Sequence, residues 1–275
     1  MGSKVAFQLS GECPGGGVAL HRSGFSHSSG VALWRVPLKL STEHPVLWRL
    51  TRTLLAPHAP ADDGDGFPRY VEAAARAHLD VNDWIELNLK WVPALPVLEE
   101  LVFPFLAPNS IVCEVGVGTG RWSRHIAARI PHGRLALVDK SQWIVSFLQD
   151  YFTAERNVDV ALCDGVRLPF SESGWADVVF SQGMFITLKL GHVFRYLKEF
   201  SHALKPGGVV IVDFIDPETE RGWDFLEGES ERAHDVFAFH SLAAISKACN
   251  RAGLSILGAK VVGKSTYLAA QKPAS

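Results

Sequence analysis

The pattern of apolar and polar positions changes at about residue 111. From there to the end of the chain, short and nearly continuous apolar runs alternate with segments whose apolar residues recur at helical spacing. Continuous apolar runs are typical of strands that helices cover on both faces. The predicted strands occupy residues 110–116, 134–140, 158–164, 176–182, 207–214, 255–262 and 266–272.

Helical segments are predicted between these strands. They occupy residues 121–130, 141–152, 192–204 and 239–254. The last of them contains the N-cap candidate Ser241 and ends at Gly253. Alternating strands and helices predict a parallel, doubly wound sheet with right-handed crossovers. Only a short Gly-Lys-Ser link joins the final two strands, which predicts a hairpin and therefore one antiparallel edge.

The chain before the first strand differs in composition. Residues 1–30 are rich in Gly and Ser and predict a poorly packed leader, and residues 59–68 predict a loop. Helical spacing predicts helices in residues 44–57, 69–92 (one or two) and 94–106. The predicted domains are a partly flexible leader and extension (1–65), a helical cap (66–108) and the main α/β domain (109–275).

Composition and charge narrow the class of protein. The chain has 47% hydrophobic residues and a formal net charge of -2. Lys and Arg outnumber Asp and Glu by six to two in residues 1–60 and fall behind by 21 to 27 in the remainder, which argues against a large nucleic-acid surface. The apolar runs are too short to span a bilayer, and the four cysteines have no C-x-x-C spacing, so we expect reduced thiols in a cytoplasmic protein.

The first strand ends in an acid and three glycines at alternate positions: Glu114, Gly116, Gly118 and Gly120. Such glycines let the backbone turn tightly and approach a ligand, although they also suit an ordinary turn. The spacing E-x-G-x-G-x-G differs from the G-x-G-x-x-G of dinucleotide sites, which disfavours a nicotinamide-dependent oxidoreductase. A carboxylate at position 114 would repel a pyrophosphate but could receive an ammonium group.

Two further predicted strands also end in acids. Asp139 could accept both hydroxyls of a ribose, or could be a strand-end residue beside Ser141, the expected N-cap of the next helix. Asp164 could accept a hydrogen bond from the amino group of an adenine, and Gly165 would leave room for the base. Each residue alone is weak evidence. Their succession along the strand ends favours a nucleoside-containing ligand.

From about residue 70 to 272 the chain resembles the class I S-adenosylmethionine-dependent methyltransferases, in the small-molecule (UbiE-like) branch that acts on quinone precursors, sugars and secondary metabolites. The resemblance lies in "EVGVGTG", "LVDKS", "ALCDGVRLPF", "ADVVFSQGMF" and "LKPGGVVIVDF". It implies an α/β, Rossmann-like, doubly wound sheet of seven strands, mostly parallel with an antiparallel C-terminal hairpin edge. Two positions depart from the common pattern, with Glu at 114 and Val at 117.

The resemblance also implies roles for individual residues. Glu114, Gly116 and Gly118 would hold the methionine part of the cofactor, Asp139 the ribose and Asp164 the adenine. Ser181 and Gln182 would lie near the sulfonium. The full implied cofactor set is Glu114, Gly116, Val117, Gly118, Gly120, Asp139, Lys140, Asp164, Gly165, Ser181 and Gln182.

A sulfonium already activates its methyl group, so a catalytic base is helpful but not obligatory. His192 is the first candidate for a base, with an ordinary polar position opening a helix as the alternative. His240 and His234 are further candidates, although His240 precedes the N-cap Ser241 and could be structural. Candidates for the acceptor pocket are Tyr70, Trp84, Trp91 and Met184, and the three aromatic residues also suit a helical core.

Missing motifs restrict the acceptor. The sequence "SQGM" stands where base and amide methyltransferases carry N-P-P-Y, and Ser181 stands where a magnesium-dependent catechol enzyme would carry an acid. We expect a metal-independent enzyme that moves the methyl group of S-adenosylmethionine to an O, N or C atom of a small molecule and releases S-adenosylhomocysteine. A protein-directed methyltransferase and an inactive binding subunit are the alternatives. We expect no nucleic-acid or membrane partner, and a homodimer is compatible with the sequence.

Overall fold

The computed structural model describes residues 66–170, 172–232 and 236–274. The predicted leader, the predicted helix at 44–57 and the candidate base His234 lie outside the described residues. The domain boundaries at 65/66 and 108/109 stay predictions.

The described chain forms seven strands and eight α-helices. The strands are β1 (Ile111–Val115), β2 (Arg134–Asp139), β3 (Val158–Leu162), β4 (Ala176–Ser181), β5 (Leu204–Phe214), β6 (Ser255–Val262) and β7 (Ser265–Gln271). The helices are α1 (Gly66–Arg76), α2 (Val81–Asn88), α3 (Ala94–Leu101), α4 (Ser123–Arg129), α5 (Gln142–Tyr151), α6 (Leu190–Ala203), α7 (Glu220–Ser230) and α8 (Leu242–Arg251). Short 3-10 turns lie at Phe103–Phe105 and Phe185–Thr187.

All seven strands form one sheet in the order β3-β2-β1-β4-β5-β7-β6. The pairs among β1 to β5 are parallel, whereas β7 runs antiparallel to both β5 and β6. The predicted fold class, including the antiparallel hairpin edge, is therefore confirmed. Because β7 is reversed, its first residues lie at the same edge as the carboxyl ends of β1 to β5.

The segment 69–92, for which the sequence predicts one or two helices, forms two. They are separated because His78 has a positive φ of 54° and the Asp80 side chain caps α2 by accepting the N–H groups of Asn82 and Asp83. Two boundaries differ from the sequence prediction. Residues 66–68 belong to α1 rather than to a loop. Strand β5 begins at Leu204, earlier than predicted, because it pairs with Ala176 beyond a bulge.

Helix α7 was not predicted. It is rich in acidic and polar residues, and Gly222 is its one buried residue, so it lacks the apolar stripe that a sequence pattern can reveal. It begins after Thr219, whose hydroxyl accepts the N–H of Gly222. The predicted N-caps Ser141 and Ser241 are confirmed, since each side chain accepts a backbone N–H of the next turn.

The sheet is covered on both faces. Helices α3, α4 and α5 contribute buried residues to the core on one face, and α6 and α8 to the core on the other. Helices α1 and α2 form a third apolar cluster around Tyr70, Trp84 and Ile85. Among the described residues, no helix combines the length and the apolar character needed to cross a membrane.

Candidate functional site

The loop after β1 is a glycine cradle at the carboxyl edge of the sheet. Gly116, Gly118 and Gly120 have φ values of 77°, 60° and 80°, a region that other residues rarely adopt. A Cβ placed on Gly116 would lie 3.1 Å from Cβ of Met184, and one on Gly118 would lie 3.1 Å from the ring of Phe67. A Cβ on Gly120 would lie 2.9 Å from the ring of Phe152, so both the backbone conformation and the close neighbours favour glycine at the three positions.

The neighbouring strands hold this loop in place. The N–H of Gly116 donates to the carbonyl of Val138 at 2.9 Å, and the N–H of Val117 donates to Oδ2 of Asp139 at 3.2 Å. The hydroxyl of Ser181, which is buried, donates to the carbonyl of Val115 at 2.8 Å. The Ser181 side chain thus holds the backbone of the strand from which the loop begins. The location of Ser181 near the sulfonium stays a prediction.

Glu114 is buried beneath the cradle, and its Oε2 has no hydrogen-bond partner. Burial raises the pKa of Glu114 to about 8, and the Ser123 hydroxyl and the Arg121 charge oppose this shift without cancelling it. A buried carboxyl oxygen without a partner is unfavourable unless a ligand satisfies it. The ammonium group of an amino-acid moiety fits this requirement.

Asp139 ends β2 and is largely buried. Its Oδ1 accepts the N–H of Ser141 at 2.9 Å, while Oδ2 accepts that of Val117. Burial raises the pKa of Asp139, and these backbone donors oppose the shift. A carboxylate has about four acceptor positions, so it retains capacity for a diol.

Asp164 and Lys140 mark the end of the neighbouring strands. Oδ1 of the exposed Asp164 accepts the N–H groups of Val166 and Arg167 at 2.8 and 2.7 Å, and these backbone bonds lower its pKa. Gly165 has a φ of 82°, and a Cβ there would lie 3.6 Å from Cδ of Lys140. Lys140 therefore crosses from the β2 end to the β3 end. The structure brings the predicted cofactor residues together along one edge.

The helices before β1 hold the glycine loop by contacts that the sequence did not predict. Asn82 and Thr119 are both buried and exchange two bonds: Nδ2 of Asn82 donates to the Thr119 carbonyl at 3.0 Å, and the Thr119 hydroxyl donates to Oδ1 of Asn82 at 2.6 Å. Together with the ring of Phe67 next to Gly118, these bonds attach the loop to the helices that precede β1. These contacts join residues far apart in the chain, so a local pattern could not reveal them.

Arg121 makes a second link between the loop and the helices. Its Nη1 forms a 2.7 Å ion pair with Glu86 and donates to the Val92 carbonyl at 2.9 Å. The guanidinium also lies over the rings of Trp91 and Trp122. Arg121 is buried, so removing either charge of the pair would leave the other uncompensated.

The predicted pocket aromatics are packed within the helical region. Tyr70 stacks on Trp84 with ring centroids 5.8 Å apart, and both are buried. Trp91 meets the Tyr70 ring edge-on and is about one-third exposed. Met184 contacts the glycine cradle at Gly116. Contact of these residues with an acceptor stays a prediction.

The two described histidine candidates occupy different environments. His192 lies in the first turn of α6 and is exposed to solvent. His240 is buried, and its Nε2 lies 2.8 Å from the carbonyl of Leu188. A ring nitrogen that faces a carbonyl carries the proton, so only Nδ1 of His240 remains to accept one. Neither assignment as a base is tested by these contacts.

A buried polar group lies beyond the glycine loop, across β4, β5 and β7. Asp213 is fully buried near the end of β5, where its Oδ1 accepts the N–H of Gly183 at 2.6 Å and its Oδ2 lies 3.5 Å from Nε2 of Gln182. Burial raises the pKa of Asp213 to about 6, while Gly183 and the Ser265 side chain oppose the shift. Asp213 was not among the predicted site residues, although β5 carries this acid directly before its last residue, Phe214.

Tyr267 pairs with Asp213 in the register of β5 and β7. Its side chain is buried, and its hydroxyl has no hydrogen-bond partner. Burial and the Asp213 charge raise its pKa, against the effects of Arg121 and Gln182. Among the described residues, no group of three or more His, Cys, Asp or Glu side chains is arranged to hold a metal ion.

Comparison with known proteins decides the class of this site. Residues 112–208 match a family model described as a methyltransferase domain. Residues 112–208 form a methyltransferase domain of the class I, S-adenosylmethionine-dependent type. The match begins within β1 and includes the glycine cradle and the ends of β2, β3 and β4.

Solved structures share the fold of this methyltransferase. A protein from Pyrococcus horikoshii OT3 is 19% identical, with a TM-score of 0.55 over 65% of this chain and 89% of its own. An O-methyltransferase family protein from Burkholderia thailandensis is 19% identical, with a TM-score of 0.58 over 75% of this chain and 62% of its own. A geranyl diphosphate methyltransferase in complex with GPP and sinefungin is 14% identical, with a TM-score of 0.51 over 64% of this chain and 78% of its own.

S-adenosylmethionine is the cofactor of this methyltransferase, and the residues present suit it. The orphaned oxygen of Glu114 suits its ammonium group, and the glycine cradle provides a surface without side chains for its methionine part. When bound, the cofactor supplies an electrophilic methyl group on a positively charged sulfur. The residues of the chain then have to bind the cofactor and the acceptor, orient them towards each other and exclude water.

Proposed function

We propose that this methyltransferase transfers a methyl group from S-adenosylmethionine to an O, N or C atom of a small-molecule acceptor. Asp139 binds the ribose, Asp164 the adenine amino group, and Glu114 with the cradle glycines the methionine part. Val117, Lys140, Gly165, Ser181 and Gln182 complete the cofactor site.

The order of the strands is the observation that carries this proposal. Of the acids assigned to the nucleoside, Asp139 is the last residue of β2 and Asp164 follows β3 by two residues, so both lie on one side of β1. On the other side of β1 lie β4, β5 and β7, whose ends carry Gln182, Asp213 and Tyr267. A cofactor that extends from β3 to β1 therefore leaves the β4-β5-β7 side for the acceptor, in line with ligand binding at the carboxyl ends of such sheets.

The chain's own residues contribute mainly orientation. The glycine loop is tied to β2 by Val117 and to the helices by Asn82 and Arg121, so it is fixed before a ligand arrives. Fixing two reacting groups in line can lower a barrier by roughly 7–11 kcal/mol. This supports a mechanism in which a base, whether His192, His240 or none, contributes less than alignment.

One protein with the same fold, a geranyl diphosphate methyltransferase, supports a small acceptor. A buried acceptor side also suits a small molecule better than a protein surface, because Asp213 and Tyr267 are both enclosed. The expected cytoplasmic location and the homodimer remain part of this proposal.

The proposal is tested by methyl transfer from labelled S-adenosylmethionine to a panel of small alcohols, phenols, amines and carbon nucleophiles. Asp139→Ala is the control that should lose transfer by losing the cofactor. Label in a small product supports the proposal. Label that enters only protein would favour a protein-directed enzyme, and S-adenosylhomocysteine binding without any transfer would favour an inactive binding subunit.

A further inference from the structure

We propose that Asp213 and Tyr267 form a polar subsite that receives a hydroxyl group of the acceptor. This inference rests on the proposed function, since it assigns the chemistry of the acceptor side of the same site. The subsite goes beyond the residues that the glycine motif and the strand-end acids indicate.

The register of the sheet places the two side chains together. Asp213 on β5 pairs with Tyr267 on β7, so both project from the same face, with Cβ atoms about 4.5–5.5 Å apart by the geometry of such pairs. Glu114 pairs with Phe180, which pairs with Ile211. Asp213 lies two residues after Ile211, and side chains two apart share a face. The subsite therefore lies on the Glu114 face, one step nearer to the carboxyl edge.

Gly116, Gln182, Asp213 and Tyr267 form a row across the sheet, and the end of this row at the glycine loop is partly exposed. Gly116 and Gln182 are partly exposed, whereas Asp213 and Tyr267 are buried. On the far side, the hairpin turn before β7 is covered by the loop between α2 and α3: a Cβ on Gly263 would lie 2.8 Å from Cγ1 of Val92. The row thus runs inward from the cradle to an enclosed end.

The hydrogen bonds within the row are incomplete. The Tyr267 hydroxyl is buried without a hydrogen-bond partner, and the contact between Oδ2 of Asp213 and Nε2 of Gln182, at 3.5 Å, is at the limit of hydrogen bonding. Burying an unpartnered hydroxyl lowers stability, and a phenylalanine would fill nearly the same volume without that penalty. A ligand that bonds the hydroxyl gives it a function.

The chemistry of the pair selects the ligand group. The Tyr267 hydroxyl can donate a hydrogen bond, and the Asp213 carboxylate can accept one. A hydroxyl group accepts and donates at the same time, so it satisfies both residues. A carboxylate or phosphate would be repelled by Asp213, and an ammonium group has no lone pair to accept the Tyr267 donor.

The chain offers a matched control next to Tyr267. Thr266 is also buried, and its Oγ1 also lacks a partner, but it projects from the opposite face of β7. Tyr267→Phe and Thr266→Val each remove one orphaned hydroxyl with little change of volume. Both variants should be at least as stable as the wild type in thermal unfolding. A clear loss of stability in Tyr267→Phe alone would show that its hydroxyl is already bonded within the protein and would overturn the proposal.

The direct test uses 4-fluorophenol as the hydroxyl probe and 4-fluoroanisole as the matched probe without a hydroxyl. Each is titrated into the protein saturated with S-adenosylhomocysteine and followed by fluorine NMR. We expect 4-fluorophenol to bind the wild type and Thr266→Val alike. Its affinity should fall about tenfold in Tyr267→Phe and in Asp213→Asn, which keeps an oxygen for the Gly183 N–H.

Equal binding of 4-fluorophenol to the wild type and Tyr267→Phe would overturn the proposal, as would the absence of binding to the wild type. An affinity of the wild type for 4-fluoroanisole equal to that for 4-fluorophenol would also overturn the proposal. The saturating S-adenosylhomocysteine separates these results from a failure of the proposed function. A protein that does not bind S-adenosylhomocysteine, or that labels only proteins in the transfer assay, would fail at that earlier stage.

Discussion

The two sides of β1 differ in how their polar residues are held. On the β2 and β3 side, Asp139 and Asp164 accept backbone N–H groups within a few residues of themselves. On the β4, β5 and β7 side, Asp213 and Tyr267 are joined by strand register across more than 50 residues, and part of their hydrogen-bonding capacity is unused. The first side is built by local chain geometry, and the second by the assembled sheet.

This difference suggests a division of function. A site for an invariant cofactor can be made from short, self-contained turns that are formed with each strand end. A site that has to suit one acceptor can be changed by substitution at a buried cross-strand pair without altering those turns. We therefore expect variants on the two sides of β1 to affect different measurements.

The largest effect is expected for Gly118→Val. The side chain would enter the cradle next to the Phe67 ring, at a φ of 60° that costs about 1–3 kcal/mol for a residue other than glycine. We expect affinity for S-adenosylhomocysteine, measured by calorimetric titration, to fall about 100-fold, which is about 2.7 kcal/mol.

Gly191→Ala is the control for this glycine. It lies at the start of α6, and nothing lies within 4 Å of the position that its Cβ would occupy. Alanine there should raise stability by roughly 0.5–1 kcal/mol and leave the affinity unchanged. If Gly118→Val binds S-adenosylhomocysteine as well as this control does, the cradle is not a binding surface.

Asp139→Ala should have the next largest effect. The variant loses the acceptor for the ribose and the bond that holds the N–H of Val117. We expect a loss of about 1.5–3 kcal/mol in the binding of S-adenosylhomocysteine, by calorimetric titration.

Asp177→Ala provides the matched control at the opposite edge of the sheet. Asp177 accepts the N–H of Ile111 and pairs with Lys205, each at 2.7 Å. Its loss should lower stability without a comparable loss of affinity. Equal affinities in the two variants would remove the ribose role from Asp139.

A smaller effect is expected from pH, through Glu114. Its carboxyl group is largely protonated at pH 7 because its pKa is about 8, and an ammonium ligand favours the ionised form. Binding should therefore release a proton, and affinity should rise between pH 6 and 7.5, by at most about tenfold per pH unit. Titrations in buffers of different ionisation enthalpy measure this proton release. A release that persists in Glu114→Gln would assign the proton to another group.

The same pKa gives a prediction for stability. In the unfolded chain Glu114 loses its proton near the ordinary glutamate pKa of 4.5, whereas in the folded protein its pKa is about 8. This contribution to stability is complete below pH 4.5 and is lost as the pH rises through 8. Wild type should therefore lose stability relative to Glu114→Gln between pH 5 and 9 in chemical denaturation. Parallel pH profiles would contradict the buried, protonated state.

The parts of the fold that could be predicted from sequence are those with a local signal. Apolar runs and helical periods gave the strands and the main helices, and the short link gave the hairpin. Helix α7 was missed because its one buried residue is Gly222. The split between α1 and α2 depends on the backbone at His78 and the cap at Asp80, which the periodicity does not show.

The candidate site follows the same rule. The glycines, Asp139 and Asp164 stand out because they follow apolar runs directly. The bonds between Asn82 and Thr119 and between Glu86 and Arg121 join residues more than 30 positions apart, and only the folded chain places them together. Asp213 carried a usable signal, an acid inside an apolar strand, whereas Tyr267 became visible only through its pairing.

The separation of a cofactor side from an acceptor side is tested most directly by calorimetric titration of S-adenosylhomocysteine into the wild type, Asp139→Ala and Tyr267→Phe, with NAD as the control ligand. We expect S-adenosylhomocysteine to bind the wild type at micromolar concentration and NAD not to bind. We expect the affinity for S-adenosylhomocysteine to fall about tenfold or more in Asp139→Ala and to change less than about twofold in Tyr267→Phe. Equal losses in the two variants, or a loss in Tyr267→Phe alone, would contradict the separation of the cofactor side from the acceptor side.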